Sequence, residues 1–394
     1  MNPAASALLV VDDNEDNRYT LTQRLKRLGY ENVATAVDGR DALTRLREGP
    51  YDLVLLDVMM PEMNGYEVLE HLKGDERLRD LPVIMISALD QLDSVIRCIE
   101  LGAEDYLPKP FNPTLLRARV SASLEKKRLR DQVRASLKRL EQELDAARRL
   151  QLGMLPGEFP KWSPETPVRV HALMEPAREV GGDLYDFFFA AQGIFCFLVA
   201  DVSGKGAPAA MFMARTRSLV RIAVELFQHL GAQTSPQDIA EAVNRELCQD
   251  NRERMFVTMF LGFLDTTTGA LAYINAGHPP PYLLRAAGDI ERVEGKPLAP
   301  LGVRGSTAYE GRTVTLERGD AVFVCTDGVA EAMNSSDELF GDPRLVADLR
   351  AVRLAAPGTM VQSVKEHIDQ FIGAAPKADD VTMLALRWEP APVH

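Results

Sequence analysis

The sequence predicts two fold classes in one chain. A doubly wound α/β domain comes first, a charged helix follows, and an α+β domain with largely antiparallel sheets makes up the rest. Three observations predict this. Over the first ~120 residues short apolar runs alternate with amphipathic stretches. The composition then turns highly charged near residue 123, without Gly or Pro. Beyond residue 168 the apolar runs mostly follow one another directly, separated by turn residues rather than helices.

In the first domain ALLVVD (7–12), VATA (33–36), DLVLLD (52–57), VIMISA (83–88) and DYLPKP (105–110) read as strands. The stretches 14–28, 39–48, 65–73 and 91–101 read as the helices between them. Repeated β-α alternation of this kind builds a parallel sheet whose crevice lies at the carboxyl ends of its strands. From Leu124 to Arg149 there are nine Lys/Arg and five Asp/Glu. Within that stretch Val133, Leu137, Leu140, Leu144 and Ala147 step by 4, 3, 4 and 3, an a/d seam that predicts a dimerising coiled coil rather than a lone solvated helix. The Pro-rich MLPGEFPKWSPETP (154–167) ends it. Thereafter FCFLVAD, MFVTMFLGFLD, LAYIN, YLLR, AVFVCTD and VTMLALRW read as strands, with helices at about 207–229 and 236–250. The expected boundaries are 1–122, 123–155 and 156–394.

Composition narrows the function. At 394 residues the chain has room for two or three cores. A net charge of −12 argues against nucleic acid as a partner, because such binding rests on phosphate neutralisation. Cys98, Cys196, Cys248 and Cys325 are scattered, which predicts reduced thiols rather than zinc ligands or disulfides. No apolar run has the length of a membrane span and the N-terminus lacks a basic leader, so a cytoplasmic protein without a membrane partner is expected.

Asp12 and Asp13 close the first strand, Asp57 the third, and Lys109 follows the fifth. With strand order 2-1-3-4-5, strands 1 and 3 flank the switch point and bring the three acids together. Carboxylates so placed repel one another and invite a hard cation such as Mg²⁺. Ser87, at the end of strand 4, adds a hydroxyl and Lys109 an ammonium, a set suited to phosphoryl transfer. Any one acid at a strand end means little; the five positions together carry the reading. The pieces VVDDN, LLDVMMPEMNGYEVL, ISA and DYLPKPF closely resemble the CheY-like receiver domain of two-component response regulators, over essentially all of residues 7–120. The resemblance implies that Asp57 accepts a phosphoryl group from a sensor histidine kinase or phosphotransfer protein. It also implies that Asp13, Asp57 and the Met59 carbonyl hold Mg²⁺ with help from Asp12, that Ser87 and Tyr106 form a switch pair, and that Lys109 contacts the phosphoryl group.

In the last domain ADVSGKG (200–206) looks at first like a phosphate cradle. It departs twice from GxxxxGK[ST], with Val199 for the first Gly and Gly206 after the Lys, and Ser203 breaks the DxGxG of kinase-type ATP sites. Its aspartate is the more informative residue. Asp183 follows a Gly pair, Asp201 and Asp327 end strands, and Asp379 and Asp380 open the last one. Four such carboxylates gathered by a sheet would hold two divalent ions, which activate water and clamp a phosphoryl group. With no His or Cys cluster beside them, Mg²⁺ or Mn²⁺ is favoured over zinc.

The segments PAREVGGDLYDFF, ADVSGKGAPAAMFMA, NAGHPPPYLL, GDAVFVCTDGVAEAMN and ADDVTML resemble the bacterial branch of the PPM/PP2C phosphatases typified by SpoIIE and RsbU, over about residues 150–390. That resemblance implies an antiparallel β-sandwich flanked by helices. It implies Asp183, Asp201, Asp327 and Asp379 as metal ligands, Asp201 bridging, with the Val202 carbonyl contributing and Asp380 as the substitute for Asp379. Asp186 would support the ligands from behind, Arg178 would contact phosphate, and His278 would stabilise a turn rather than donate a proton; Lys205 has no assigned role. The implied protein is a response regulator whose Asp57 phosphorylation controls a protein-serine/threonine phosphatase acting on a phosphorylated anti-sigma-factor antagonist. The alternative is an adaptor of the RssB type, which binds a sigma factor for proteolysis without catalysis.

Overall fold

The computed structural model describes residues 3–88, 92–160, 163, 166–229, 235–293, 295 and 298–390. The expected helix start at residue 91 and residues 161, 162, 164 and 165 of the Pro-rich run lie outside the described residues. The chain divides into two compact units, Met1–Leu140 and Glu141–His394.

In the first unit the apolar runs form β1 (Ala7–Val11), β2 (Asn32–Ala36), β3 (Leu53–Asp57), β4 (Val83–Ser87) and β5 (Asp105–Pro108). All pair in parallel in the order β2-β1-β3-β4-β5. Between them lie α1 (Glu15–Arg27), α2 (Gly39–Glu48), α3 (Gly65–Gly74) and α4 (Leu92–Glu100). The central strands are apolar throughout because both faces are covered. Leu9, Val54 and Val83 face one side, against Leu43, Leu46, Val68 and Leu72 of α2 and α3. Leu8, Leu55 and Ile84 face the other, against Leu21 and Leu25 of α1 and Leu116, Val120 and Leu124 of the last helix.

That helix, α5, runs unbroken from Pro113 to Met154. Its four-residue apolar step covers the sheet as far as Leu124, and apolar residues then continue at helical spacing where they lie exposed: Leu129, Val133, Leu137 and Leu140.

The second unit is a sandwich of two five-stranded sheets. Its strands are β6 (Val168–Glu175), β7 (Leu184–Ala191), β8 (Ile194–Val202), β9 (Val257–Asp265), β10 (Ala270–Ala276), β11 (Tyr282–Leu284), β12 (Ile290–Arg292), β13 (Arg312–Thr315), β14 (Ala321–Cys325) and β15 (Val381–Trp388). The orders are β13-β10-β9-β8-β7 and β12-β11-β14-β15-β6, with every pairing antiparallel. Helices α6 (Ala207–His229) and α7 (Pro236–Cys248) cover the first sheet, and α9 (Gly341–Val352) and α10 (Pro357–Ile372) the second, while α8 (Asp327–Ala330) is one turn. β14 displays the period of two that this requires. Val322 and Val324 enter the core between the sheets, whereas Ala321, Phe323 and Cys325 meet Leu345, Leu349, Met360 and Val364 of α9 and α10. These two helices were not anticipated from sequence. Their apolar spacing at 360, 361, 364, 368 and 372 is helical, but Pro343 and Pro357 interrupt the stretch, and both prove to sit in first helical turns, where proline is tolerated.

Candidate functional site

Parallel pairing of Val11 with Leu56 sets Asp12 beside Asp57. Carboxylate oxygens of Asp12, Asp13 and Asp57 lie within 4.8 Å of one another, with Asp12 and Asp57 buried and Asp13 exposed. Asp12 Oδ1 accepts the Asn14 amide at 2.9 Å and Asn17 Nδ2 at 3.1 Å, leaving Oδ2 for Lys109. The Lys109 amide donates to the Ser87 carbonyl at 2.8 Å, and its Nζ spans Asp12 Oδ2 at 2.8 Å and Asp57 Oδ2 at 2.9 Å. Burial raises the Asp57 carboxyl above its ordinary range, and the Lys109 ammonium opposes without cancelling it. Burial works against the charge on Lys109 itself, but its bonds to Asp12 and Asp57 outweigh that and raise it. Ser87 is buried at the end of β4, Tyr106 is half-buried on β5, and Met59 is exposed in the loop after β3. Gly65 lets α3 close on this loop, because a Cβ there would stand 2.2 Å from the Asp57 carbonyl. Asn64 and Glu67 fix the same turn by a capping box.

The second group of acids gathers where strand ends of both sheets meet. Asp183 precedes β7, Asp201 is next to last in β8, Asp327 opens α8 after β14, and Asp379 and Asp380 precede β15. Thr326 Oγ1 donates to Asp183 Oδ2 at 2.8 Å, linking one sheet to the other. Asp380 accepts the Ala177 amide at 2.8 Å and the Gly182 amide at 2.7 Å, so both its oxygens are taken by backbone. Neither glycine of the pair tolerates a side chain. A Cβ on Gly181 would stand 2.4 Å from Asp380 Oδ2, and one on Gly182 2.8 Å from the Val202 carbonyl. Asp183 is wholly buried, and burial, then the charges of Asp201 and Asp380, push its carboxyl far up. Burial, with the Asp327 charge next, pushes Asp201 up to about 7 although a hydrogen bond with Asp183 opposes the rise. Asp327 opens to solvent at its rim, and partial desolvation followed by the Asp379 charge raises it. Carboxylates held this near one another, all hard oxygen donors, fit Mg²⁺ or Mn²⁺. They are less tightly drawn together than the first group, which alone among the described residues has three acids within 4.8 Å.

The Stage II sporulation protein E (SpoIIE) family matches residues 191–389, and the response regulator receiver domain matches residues 8–121. The chain belongs to the SpoIIE family. Its first unit is a receiver domain and its second has the PP2C fold. Protein IcfG of Synechocystis sp. is 28% identical over 275 residues, 62% of this chain and 41% of that protein. The Probable transcriptional regulator ycf27 of Cyanophora paradoxa is 44% identical over 119 residues, 30% of this chain and 48% of that one. The chain thus spans less than half the length of the curated relatives it matches. Among solved structures, the SiaA-PP2C domain of Pseudomonas aeruginosa superposes with a TM-score of 0.55 at 20% identity, covering 65% of this chain and 99% of that one, a likeness of fold. No described helix is long and apolar enough to cross a membrane.

Within the SpoIIE-type domain several residues sit otherwise than their sequence neighbours suggest. Asp186 does not stand behind the acids. It is fully buried against α6, where Arg221 holds it through two bonds of 2.6 Å and Arg217 lies 3.1 Å away. Asp183 lies before β7, in the turn after the Gly pair, whereas Asp186 lies within the strand on the face that packs against α6. Lys205 does have a partner, Asp379 Oδ2 at 2.9 Å. His278 is buried in the NAGH turn, its amide donating to Asn275 Oδ1 at 2.8 Å and its Nδ1 meeting Thr258 Oγ1 at 3.0 Å. Burial pushes the His278 ring down to about 3, so it is uncharged near neutrality. Arg178 is exposed in the segment between β6 and β7. Two contributors were not foreseen: Thr326, and Gln151 near the end of α5. Gln151 is buried and binds both backbone groups of Gly181, Nε2 to the carbonyl at 2.6 Å and Oε1 to the amide at 3.1 Å. An isolated glutamine in a charged helix carries no local signal of such a role.

Proposed function

We propose that the chain is a response regulator in which phosphorylation of Asp57 controls a metal-dependent protein-serine/threonine phosphatase in the SpoIIE-type domain. The observation that carries the reading is a second group of acids gathered where strand ends of both sheets meet, in a chain that already has a receiver crevice. The proposed organisation is a receiver over 1–122, a signalling helix over 123–155 and a phosphatase over 156–394.

In the receiver, an Asp57 oxygen attacks the phosphorus of a phosphohistidine on a sensor kinase or phosphotransfer protein, and the P–N bond breaks. Asp13, Asp57 itself and the Met59 carbonyl would hold Mg²⁺ there, with Asp12 assisting. Lys109, already on Asp57, follows the charge onto the new phosphoryl oxygens, and Ser87 offers its hydroxyl, with Tyr106 completing the switch. In the phosphatase, Asp183, Asp201, Asp327, Asp379 and the Val202 carbonyl would hold two Mg²⁺ or Mn²⁺. Bound there, the ions would supply water activation and neutralise phosphoryl charge. Asp379 is preferred to Asp380, because Asp380 ties down two backbone amides of the segment between β6 and β7, whereas Asp379 Oδ2 holds only the half-exposed Lys205 ammonium. Arg178 is exposed and within the right segment to meet a substrate phosphate. The proposed substrate is a phosphoserine or phosphothreonine in an anti-sigma-factor antagonist, acted on in the cytoplasm by a homodimer joined through α5.

The test is hydrolysis of a small aryl phosphoester with and without Mn²⁺. Wild type hydrolyses it only with metal, and Asp201→Ala loses at least about a hundredfold, the scale on which a lost electrostatic contact of this kind is felt. In parallel, Asp57→Ala no longer takes up label from an acyl-phosphate donor yet keeps its fold by circular dichroism. A wild type that binds a sigma factor but shows no metal-dependent hydrolysis would establish the adaptor instead.

A further inference from the structure

We propose that Lys205 is a built-in competitor for the metal site: its ammonium and a divalent ion contend for Asp379, so loading the ion requires the lysine to swing away. This rests on the metallophosphatase reading above.

The geometry is specific. Lys205 Nζ donates to Asp379 Oδ2 at 2.9 Å and to the Ala378 carbonyl at 2.8 Å, both on the segment that leads into β15. Among the described residues no other cation is ion-paired with Asp183, Asp201, Asp327, Asp379 or Asp380. A cluster of acids that repel one another thus has, among the described residues, a single ion-paired counter-charge, held by the loop that follows Asp201 and Val202 at the end of β8.

That loop is built to let the lysine move while the ligands stay. Its start is anchored, because the Ser203 amide donates to the Phe256 carbonyl at 2.9 Å and Ser203 Oγ accepts the Phe256 amide at 2.9 Å. Lys205 itself lies between Gly204 at φ +91° and Gly206 at φ +75°, in a region where glycine is at ease. Nothing stands within 4 Å of where a Cβ would be at either glycine. Those glycines therefore serve no close packing, unlike Gly181 and Gly182. The side chain of Lys205 is 41% exposed, so the released ammonium passes directly into water.

Calorimetric titration with Mn²⁺ tests this on the full chain carrying Asp13→Ala, which silences the receiver crevice. In that background Lys205→Gln binds Mn²⁺ about threefold tighter or more, the scale of a half-exposed ion pair. Lys205→Arg, which keeps the charge, stays near the background affinity. In EDTA Lys205→Gln unfolds at a lower temperature than the background, and saturating Mn²⁺ removes the difference. Unchanged or weaker Mn²⁺ binding by Lys205→Gln overturns the proposal, and a raised KM with unchanged metal affinity would place Lys205 on the substrate phosphate instead. If the background protein shows no Mn²⁺ binding that Asp201→Ala abolishes, the metallophosphatase reading falls and this proposal with it.

Discussion

At the scale of single residues, burial decides which titratable groups matter. His278 and Asp201 are both perturbed, but in opposite senses: one ring is held neutral, and one carboxyl is held ready to share charge with a cation. For His278 the folded value of about 3 lies below the ordinary 6.5, so the unfolded chain binds the extra proton between those limits. Its contribution is whole above pH 6.5 and is lost as the pH falls toward 3, at up to about 1.4 kcal/mol per pH unit. His278→Gln, which keeps an amide in the turn but removes the ionisation, should flatten the fall in urea midpoint between pH 7 and pH 5. Equal slopes in the two proteins would show that acid sensitivity resides elsewhere. Asp186 shows the same rule for ion pairs. Wholly buried, it stays compatible with the core because two arginines of α6 surround it.

At the scale of elements, α5 serves two cores in turn. Leu116, Val120 and Leu124 close one face of the receiver sheet, and thirty residues later Gln151 and Leu155 are buried in the SpoIIE-type domain. Gln151 ends the helix on the backbone of Gly181, next to the glycine that packs on Val202 and two residues before Asp183. Gln151→Leu keeps the bulk but leaves a buried amide and carbonyl unpaired. It should cost about 2 kcal/mol in urea denaturation and weaken Mn²⁺ binding in the same protein. An unaltered midpoint would mean that water or a shifted backbone replaces the clamp. Legibility varies just as much between elements. The five receiver strands were read within a residue or two, the central β1, β3 and β4 most plainly because both of their faces are buried and their apolar runs are continuous. β6, β7, β12, β13, α9 and α10 were not read, since the strands are short or diluted by half-buried positions and the helices carry a proline in their first turn.

At the scale of the whole molecule, the seam on α5 is an apolar stripe left exposed among the described residues. Val133, Leu137 and Leu140 are each more than half exposed, which an isolated helix has no reason to maintain in apolar form. Sedimentation should find a dimer in wild type and a monomer in the double variant Leu137→Glu, Leu140→Glu, with both folds intact. A wild-type monomer at every concentration would remove the dimer from the proposed signalling route.

What the sequence determined by itself was local: strand runs and their alternation with helices, the seam, and the acids at strand ends. These follow from periodicity and from short motifs, which neighbouring residues encode without help. Only the tertiary structure decided which acids face which. Two arginines of α6 hold Asp186 away from the acids, backbone amides 203 and 198 residues distant occupy Asp380, and Lys205 reaches Asp379 across 174 residues of chain. Such long-range meetings depend on sheet register and loop closure, and no window of sequence contains both partners.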